Sequence, residues 1–333
     1  MDKVKTTVDG DRLLPKDAPE VAELRECKVK LKRSQDRTKR LLAENESLGQ
    51  HLEDSRRANR KKFITRKRVR RTKSETVRVI IPDSHGAEID PVIAPLFLAD
   101  LKILCPDEIV MTGDHINCGG FLAQHLTVGY VAETSYTFEE DVEAANQFLD
   151  AIQANAPKVG QIDYLEGNHC RRIEKWCVTA ALKNGADAKF LLSRLSPTVI
   201  LNMKERDIKY AKQSECYDNL SIPGTIKRGL CHYTHGMSAA KHAASVHVDR
   251  IGGNIVFGHT HRMDSYHRRT VVAGEIAGWS CGCLCKKQPL WQHTRPTDWV
   301  HGYGLQLVAR SGKFLHINVR FVDGASLLMG LLK

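Results

Sequence analysis

The chain has 333 residues, of which 42% are hydrophobic and 27% are charged, so it can bury one large core or two modest ones. No uninterrupted apolar stretch has the length of a membrane span, and the first residues lack the apolar segment of a secretion signal. Ten cysteines at irregular spacings indicate reduced thiols rather than a disulfide framework. We therefore expect a cytoplasmic protein that has no membrane partner.

The net charge of +11 is concentrated in one segment of the chain. Residues 56–73 contain eleven Lys and Arg and no Asp or Glu, so the rest of the chain is electrically balanced. Such a run favours contacts with nucleic-acid phosphates, and its alternative is a solvated linker. The residues that we predict to bind nucleic acid are Arg66, Lys67, Arg68, Arg70 and Arg71.

The N-terminal part of the chain, residues 1–75, is predicted to hold a disordered start, a helix and this basic arm. Residues 1 to about 18 are polar, which favours disorder. Residues 20–60 contain no Pro, and their content of Glu, Lys, Arg, Leu and Ala favours a long polar helix. Leucines recur seven residues apart at Leu24 and Leu31, but polar residues interrupt the seam. The helix therefore allows no more than a weak coiled coil through which two chains could self-associate.

Strands and helices alternate in the remainder of the chain, residues 76–333, which predicts an α/β domain. The predicted strands are residues 77–81, 108–112, 161–165, 229–233 and 254–257. The predicted helices are one that Asp90 caps before residues 91–104, one over residues 139–154 and one over residues 173–195 with a break at Gly185.

Each of the five predicted strands ends in Asp, Asn or His. The exits are Pro82-Asp83-Ser84-His85-Gly86, Gly113-Asp114-His115, Gly167-Asn168-His169, Thr234-His235-Gly236 and Gly258-His259-Thr260-His261. Ligands of open α/β sheets collect beyond the carboxyl ends of strands, so five such exits in succession indicate one site. The candidate metal ligands are Asp83, His85, Asp114, Asn168, His235, His259 and His261. Carboxylate, amide and imidazole groups without a thiolate suit two adjacent divalent transition ions that share a bridging carboxylate.

The order Asp-x-His, Gly-Asp, Gly-Asn-His, His-Gly and Gly-His-x-His resembles that of the calcineurin-like metallophosphoesterase family. The resemblance covers residues 76–333, and the sequence around Ile-Pro-Asp-Ser-His-Gly is similar to that of bacteriophage-encoded members. It implies a four-layer fold of two packed mixed β-sheets flanked by helices. In this chain a helical, basic N-terminal arm would precede that fold.

The resemblance also implies a role for each ligand. One ion would be held by Asp83, His85 and His261, and the other by Asn168, His235 and His259. Asp114 would bridge the two ions, and His169 would be the catalytic histidine near the scissile phosphate. We expect manganese, with iron or zinc as alternatives. Two such ions about 3.5 to 4 Å apart lower the pKa of a shared water, so a bridging hydroxide could attack phosphorus in line.

Two departures from the family pattern concern the substrate. Many members have Gly-Asp-x-x-Asp-Arg where this chain has Asn117 and Cys118, so the arginine that phosphoserine phosphatases use is absent. The acidic residue that often follows Gly-Asn-His is Cys170 here, so His169 must find another orienting partner. Arg171 and Arg262, together with Arg172, could contact the substrate phosphate, although surface ion pairs are the alternative for each.

Two other groups of residues have less specific patterns. Trp279, Trp291 and Trp299 could stack on bases at the mouth of the site, or they could pack an irregular loop. The spacing of Cys281, Cys283 and Cys285 is too tight for a usual zinc site. His115 is the strongest candidate among the remaining histidines because it follows Asp114.

The sequence thus predicts a hydrolase that cleaves phosphate esters, and the basic arm favours nucleic-acid phosphodiesters as its substrates. A phosphomonoesterase or phosphatase that acts on small or protein substrates is one alternative. A catalytically silent scaffold that binds nucleic acid is the other.

Overall fold

The computed structural model describes residues 6–9, 12–15, 28, 32, 36, 39, 75–122, 136–289, 292 and 296–332. The chain divides into two units, Met1–Arg66 and Lys67–Lys333. Among the described residues, the helices are all too short or too polar to cross a membrane. The basic arm at residues 56–73 lies outside the described residues.

In the first unit, strands β1 (Thr6–Asp9) and β2 (Arg12–Pro15) form an antiparallel hairpin. The polar composition of residues 1–18 instead predicts disorder over this stretch. Asp9 pairs with Arg12. A glycine followed by aspartate between two short runs, as in the sequence at residues 10–11, is itself a hairpin signal. Residues 28, 32, 36 and 39 are helical and exposed, as the long polar helix predicts for these four positions. Self-association through that helix stays a prediction.

The second unit is built around a seven-stranded mixed sheet in the order β14-β13-β12-β3-β4-β5-β6. Its strands are β3 (Glu75–Ile81), β4 (Glu108–Met111), β5 (Gln161–Leu165), β6 (Ile208–Ala211), β12 (Gly302–Ala309), β13 (Phe314–Val322) and β14 (Ala325–Ser326). Strands β3 to β6 are parallel, whereas β12 runs antiparallel to β3.

A five-stranded mixed sheet in the order β10-β11-β9-β8-β7 packs against the first sheet. Its strands are β7 (Thr225–Arg228), β8 (Cys231–Thr234), β9 (Asn254–Phe257), β10 (Met263–Thr270) and β11 (Gly274–Cys281). Ile80 and Val110 of one sheet meet Tyr233 and Val256 of the other in a buried layer between them. Strands β8 and β9 are parallel, so their carboxyl ends lie at the same edge of the sheet.

Helices cover the outer faces of both sheets, which completes four layers. They are α1 (Ile93–Leu104), α2 (Phe138–Asn155), α3 (Arg171–Ala180), α4 (Gly185–Leu195), α5 (Pro197–Ile200), α6 (Ala243–Ile251) and α7 (Leu327–Leu332), with 3-10 turns η1 (Gly86–Glu88) and η2 (Gly120–Leu122). Apolar residues of α1 to α3 share a core with β3, β4 and β5. Val248 of α6 packs against Ile255 and Ile276 of the smaller sheet.

The observed elements confirm the predicted fold class and most of the predicted elements. Strands β5 and β9 have the predicted bounds, and the predicted break at Gly185 separates α3 from α4. The strand predicted at residues 229–233 begins at Cys231 instead, because Gly229 has a φ of 63° in the turn after β7. Asp90 accepts hydrogen bonds from the N–H groups of Val92 and Ile93, so it caps α1 from two residues further upstream than a standard cap.

The side chain of Arg78 joins the two sheets through a buried polar network. Arg78 lies on β3 and is 3% exposed. Its Nε donates to Glu108 Oε2 at 2.7 Å, and its Nη1 donates to Tyr233 Oη on β8 at 2.8 Å and to Gln306 Oε1 on β12 at 3.1 Å. A buried polar network of this kind fixes the packing of the layers, because a misplaced partner would leave buried charge unpaired.

We expect Arg78→Met to lower the free energy of unfolding by about 3 kcal/mol, since it leaves Glu108 and Tyr233 without their shared donor. Urea unfolding followed by circular dichroism would measure the loss. Arg268→Met is the control, because the Arg268–Asp249 pair is exposed on both sides and such pairs contribute about 0.5 kcal/mol or less. Equal losses for the two variants would contradict a structural role for the network.

Candidate metal centre

The two sheets present their carboxyl-terminal strand ends to one another, and this arrangement brings all seven predicted ligands together. Strands β3, β4 and β5 deliver Asp83 and His85, Asp114 and Asn168. Strands β8 and β9 of the other sheet deliver His235, His259 and His261. The ligand residues therefore come from five chain segments that only the tertiary fold makes adjacent.

The first donor set consists of Asp83, His85 and His261. The Nε2 atom of His261 lies 3.0 Å from Asp83 Oδ2 and 3.1 Å from His85 Nε2, and His85 Nε2 lies 3.8 Å from Asp83 Oδ2. Donor atoms that share one ion at bonds of about 2.0 to 2.2 Å and at angles of about 90° to 120° lie roughly 2.8 to 3.8 Å apart. The spacing of these three atoms fits one divalent ion.

The second donor set consists of Asp114, Asn168, His235 and His259. His235 Nε2 lies 3.1 Å from Asp114 Oδ2 and 2.9 Å from Asn168 Oδ1. The His259 ring makes an edge contact with the His235 ring, at 5.1 Å between centroids. Asp114, His235 and His259 each offer a ligand atom within 4.8 Å of the others.

Asp114 belongs to both halves of the centre. Besides its place in the second set, its carboxylate is grouped with His85 and His169 within the same 4.8 Å limit. Asp114 is 1% exposed, so its negative charge has no compensation from water. A single carboxylate between two sets of imidazoles is the arrangement that a bridging ligand needs.

The hydrogen bonds of the imidazoles fix which nitrogen faces the centre. His85 Nδ1 donates to Asn117 Oδ1 at 3.1 Å, and His235 Nδ1 donates to the Thr112 carbonyl oxygen at 2.8 Å. In each ring the Nε2 atom is then left to point its lone pair at the centre. Such outer hydrogen bonds select the tautomer that a metal requires.

The negative charges of the buried carboxylates also favour the binding of cations. Burial raises the pKa of Asp83 and Asp114, but the adjacent imidazoles outweigh it and hold both carboxyls ionised. Burial lowers the pKa of His235, yet the Asp114 carboxylate raises it to a net value of about 9. In the metal-free chain His235 is thus protonated at neutral pH, and a divalent ion would replace this proton in the donor set. Oxygen and nitrogen donors around two buried carboxylates fit a pair of such ions.

Four of the ligand residues adopt left-handed backbone conformations. His85, Asp114, His259 and His261 have φ values of 55°, 51°, 68° and 55°. Each costs about 1 kcal/mol or more for a residue with a side chain, and such residues cluster at functional sites. The chain accepts this strain at four positions that surround one point, which supports a functional role for the cluster.

Glycines let the strand exits approach the two carboxylates. A Cβ on Gly167 would overlap the Asp114 carboxylate, and one on Gly258 would lie 2.5 Å from Asp83 Oδ1. Both glycines belong to the motifs of the sequence analysis. Their lack of a side chain is what allows Asn168 and His259 to reach the centre.

His169 lies beside the centre, and its orienting partners are ones that the sequence did not reveal. Its Nδ1 donates to the Asn117 carbonyl oxygen at 2.7 Å, and its Nε2 accepts from Arg172 Nη2 at 3.1 Å. Burial lowers the pKa of His169 to about 4, although Asp114 raises it. Where the family pattern has an acidic residue, this chain has Cys170, which packs in the core. The Asn117 carbonyl orients His169 in its place.

Asp141 is a further site residue that the sequence analysis missed. It lies in the first turn of α2 with no exposed surface, and its carboxylate accepts from the N–H groups of Ala87, Asn117 and Gly119. Burial raises its pKa to about 6, while these hydrogen bonds lower it. Asp141 therefore ties together the two loops that carry His85 and Asn117. An aspartate within an amphipathic helix gives no sequence signal for such a role.

Two other side chains border the first donor set. The Sγ atom of Cys285 lies 4.0 Å from His261 Nδ1, and Cys285, His85 and His261 form a buried group that could hold a metal. Trp299 contacts the His261 ring edge-on at 3.9 Å between centroids. Trp279, in contrast, packs against Phe314 and His316, and Trp291 lies outside the described residues.

The remaining predicted residues are engaged elsewhere or lie outside the described part of the chain. Arg171 donates to Gln213, and Arg262 pairs with Asp298 and donates to the carbonyl oxygens of Ala239 and Ala240. Arg172 is the arginine that contacts His169.

The Nδ1 atom of His115 shares a hydrogen bond of 2.8 Å with Ser84 Oγ, and its ring packs edge-on against Tyr164. His115 is therefore a buried neighbour of the centre. The nine described cysteines are free thiols, as the sequence predicts.

Solved structures with a similar fold include Vps29 from Cryptosporidium parvum, with 10% identity and a TM-score of 0.39 over 76% of this chain and 95% of that chain. The E. coli phosphoesterase Yfce matches with 14% identity and a TM-score of 0.31, over 73% and 98% of the two chains. Pseudomonas putida nuclease MPE matches with 10% identity and a TM-score of 0.28, over 72% and 87%. No family model and no curated protein matches the sequence. Function therefore has to be inferred from the arrangement of the side chains.

We expect Asp114→Asn to lower the bound divalent metal from two ions per chain to one or none, because the amide removes the charge shared by both donor sets. Elemental analysis of the manganese-loaded, desalted protein would measure the occupancy. Asp163→Asn is the matched control, since Asp163 is also a buried carboxylate but pairs with Arg228 of β7. Two ions retained by Asp114→Asn would reject Asp114 as the shared ligand.

Proposed function

We propose that this chain is a metal-dependent phosphoesterase of the calcineurin-like type, with two divalent transition ions. The observation that carries the proposal is the position of Asp114, which shares its carboxylate between two donor sets directly beside His169 and Arg172. Two ions and an adjacent pair of basic side chains suit the charge of a phosphate ester and of its transition state. Manganese is the proposed metal, with iron and zinc as alternatives. The bacteriophage-type subfamily stays a prediction.

When bound, the two ions would polarise the phosphoryl oxygens and supply an activated water. The chain's own residues hold and orient the reacting groups. Asp114 Oδ1 accepts from the N–H of His169 at 2.8 Å, which fixes the backbone of the histidine against the shared carboxylate. Arg172 donates to the carbonyl oxygens of Asn117 and Cys118, so its guanidinium is anchored and still faces His169.

The pairing of His169 with Arg172 suggests how the two could act on a substrate. Arginine is always a donor, so His169 Nε2 is an acceptor while Arg172 contacts it. A phosphodiester adds negative charge beside both groups, which attracts the guanidinium and raises the pKa of the imidazole. His169 Nε2 could then take up a proton and pass it to the leaving oxygen.

The direct test of the proposed function is an assay of the purified protein with manganese. A phosphodiester dye ester and a phosphomonoester dye ester would separate a phosphodiesterase from a phosphatase. We expect faster hydrolysis of the diester. Protein that holds two ions and cleaves neither ester would favour the alternative of a silent scaffold, although the complete donor sets argue against it.

We expect His169→Asn to keep both ions and to lower kcat by about 10²-fold or more, because a positioned proton donor contributes about 10²- to 10⁴-fold. The loss should grow with the pKa of the leaving group, since poor leaving groups depend most on protonation. A series of aryl and alkyl diesters would give this dependence. Loss of metal from the variant would instead make His169 a ligand.

We further propose that nucleic-acid phosphodiesters are the substrates, because residues 56–73 carry the whole net charge of the chain. The affinity for a polyanion that such a run supplies would serve no purpose toward a small phosphate ester. A protein partner with an acidic surface is the competing explanation of the charge.

Replacing Arg66, Lys67, Arg68, Arg70 and Arg71 by Gln in the full chain tests this interpretation. Each phosphate contact contributes about 0.7 to 0.9 to the slope of log affinity against log salt, so losing all five should flatten the slope by roughly four. Binding isotherms with labelled oligonucleotides at several salt concentrations would measure it, and hydrolysis of the small diester should not change.

The control for the arm variant replaces five exposed lysines of the second unit, Lys102, Lys158, Lys204, Lys209 and Lys227. Both variants lose the same charge, so a difference between them is specific to the arm. Superimposable salt dependences for the parent and the arm variant would reject the nucleic-acid role of the five residues.

A further inference from the structure

An aromatic cluster with one exposed ring lies a few residues along the chain from Cys118 and Arg172. It consists of Phe121 on η2, Phe138 at the start of α2 and Trp176 on α3. The ring of Phe121 contacts those of Phe138 and Trp176 edge-on, at 5.2 Å between centroids in both pairs. Phe121 is 59% exposed, whereas Phe138 and Trp176 are partly buried against the main core.

The packing of the core does not account for the position of Phe121. Phe138 and Trp176 contribute to the main core, and they hold Phe121 at its edge with most of its side chain in water. Edge-on contacts from two supporting rings fix the orientation of a third ring, so Phe121 is a rigid surface. A single exposed aromatic residue is ordinary, but one that two others orient beside a catalytic centre is suited to binding.

The residues of the aromatic cluster are close in sequence to residues that contact His169 and Arg172. Phe121 follows Cys118 by three residues, and the Cys118 carbonyl oxygen accepts from Arg172. Trp176 follows Arg172 by four residues on α3, which is about 6 Å along the helix axis. Arg172 contacts His169. A substrate whose phosphate meets Arg172 would thus place its neighbouring group near Phe121.

Helix α3, which carries Trp176, and its neighbour α4 carry positive charge. Residues 171–195, which span α3 and α4, contain six Lys and Arg against Glu174 and Asp187. Lys175, Lys183 and Lys189 are exposed. A basic surface next to exposed aromatic rings is typical of proteins that bind single-stranded nucleic acid, because the charge attracts phosphates and the rings stack on bases.

We propose that Phe121, supported by Trp176 and Phe138, stacks on an unpaired base next to the scissile phosphate, so that the substrate is single-stranded nucleic acid. This inference rests on the phosphoesterase function proposed above. Bases within a duplex stack on each other and offer no free face, so the cluster would favour single strands over duplexes. DNA and RNA present the same aromatic face, and Phe121 alone does not distinguish them.

The test measures binding separately from hydrolysis. The full-length protein in EDTA is titrated into 5′-fluorescein-labelled 12-mers of single-stranded DNA, single-stranded RNA and duplex DNA, and fluorescence anisotropy reports affinity. The salt concentration is 0.3 M, which weakens phosphate contacts and leaves stacking dominant. Stacking of one base on an aromatic side chain contributes about 5- to 100-fold in affinity.

We expect Phe121→Ala and Phe121→Leu to weaken binding of the single strands by about 5- to 100-fold and to change duplex binding by less than about twofold. Leucine keeps an apolar contact with Trp176 but has no aromatic face. A loss of single-strand affinity in Phe121→Leu therefore identifies stacking as the interaction. Phe121→Tyr keeps the ring and should bind as the parent does. Phe190→Ala is the matched control, because Phe190 is 61% exposed on α4, where it contacts Arg194.

The outcomes separate this inference from the proposed function. Parent-like binding of single strands by Phe121→Ala, or an equal loss of duplex binding, would overturn the role of Phe121 even if a small phosphodiester is hydrolysed. Parental protein that hydrolyses no ester would overturn the phosphoesterase proposal, while a selective loss of single-strand binding would still support the stacking surface. Loss in both the DNA and RNA titrations supports a stacking contact with either nucleic acid, and loss in one of them identifies the substrate.

Discussion

Two buried carboxylates hold the candidate metal centre together, because each one uses its two oxygens for different purposes. Asp83 Oδ1 accepts from the N–H of His259 at 3.0 Å, while its Oδ2 faces His261 at 3.0 Å. Asp114 Oδ1 accepts from the N–H of His169, while its Oδ2 faces His235. In each carboxylate one oxygen therefore fixes the backbone of a later strand exit, and the other faces an imidazole of the centre. The fold positions the centre, and these carboxylates in turn connect the two sheets at their carboxyl ends.

This arrangement has free-energy costs, from buried charge and backbone strain, that the binding of a cation would offset. Both carboxylates are fully buried, and four ligand residues have left-handed backbone conformations. Buried charge and backbone strain each cost free energy. In the metal-free chain the adjacent imidazoles compensate the charge of the carboxylates but not the backbone strain. Ions that bind the folded chain more tightly than the unfolded chain stabilise it by mass action. Ions bound at the centre would thus couple the stability of the fold to metal, even though most of the core lies away from it.

The sequence predicts the layers of the fold, and it places the candidate ligands at strand exits, because both depend on local patterns. Apolar β-branched runs that end in Asp, Asn or His identify strand exits, and parallel strands bring those exits to one edge. The residues that orient the ligands were not predictable in this way. Asn117, Asp141 and Arg172 act through contacts with main-chain groups of other segments, and the sequence carries no signal for such contacts. The N-terminal hairpin was missed for a different reason, since the polar composition around Gly10 outweighed a valid turn signal.

The departures from the family pattern compensate for one another in the structure. Cys170 replaces an acidic residue after the histidine, and the Asn117 carbonyl takes over the hydrogen bond to His169 Nδ1. A carbonyl oxygen is neutral, so it orients the ring without stabilising the imidazolium as a carboxylate would. Burial lowers the pKa of His169 to about 4 and the positive charge of Arg172 lowers it as well, whereas Asp114 and the hydrogen bond to the Asn117 carbonyl raise it. The resting site therefore keeps its positive charge on Arg172 rather than on the histidine. The Gly-Asp-x-x-Asp-Arg arginine is absent from this chain, and Arg172 on α3 is the arginine whose guanidinium lies next to His169.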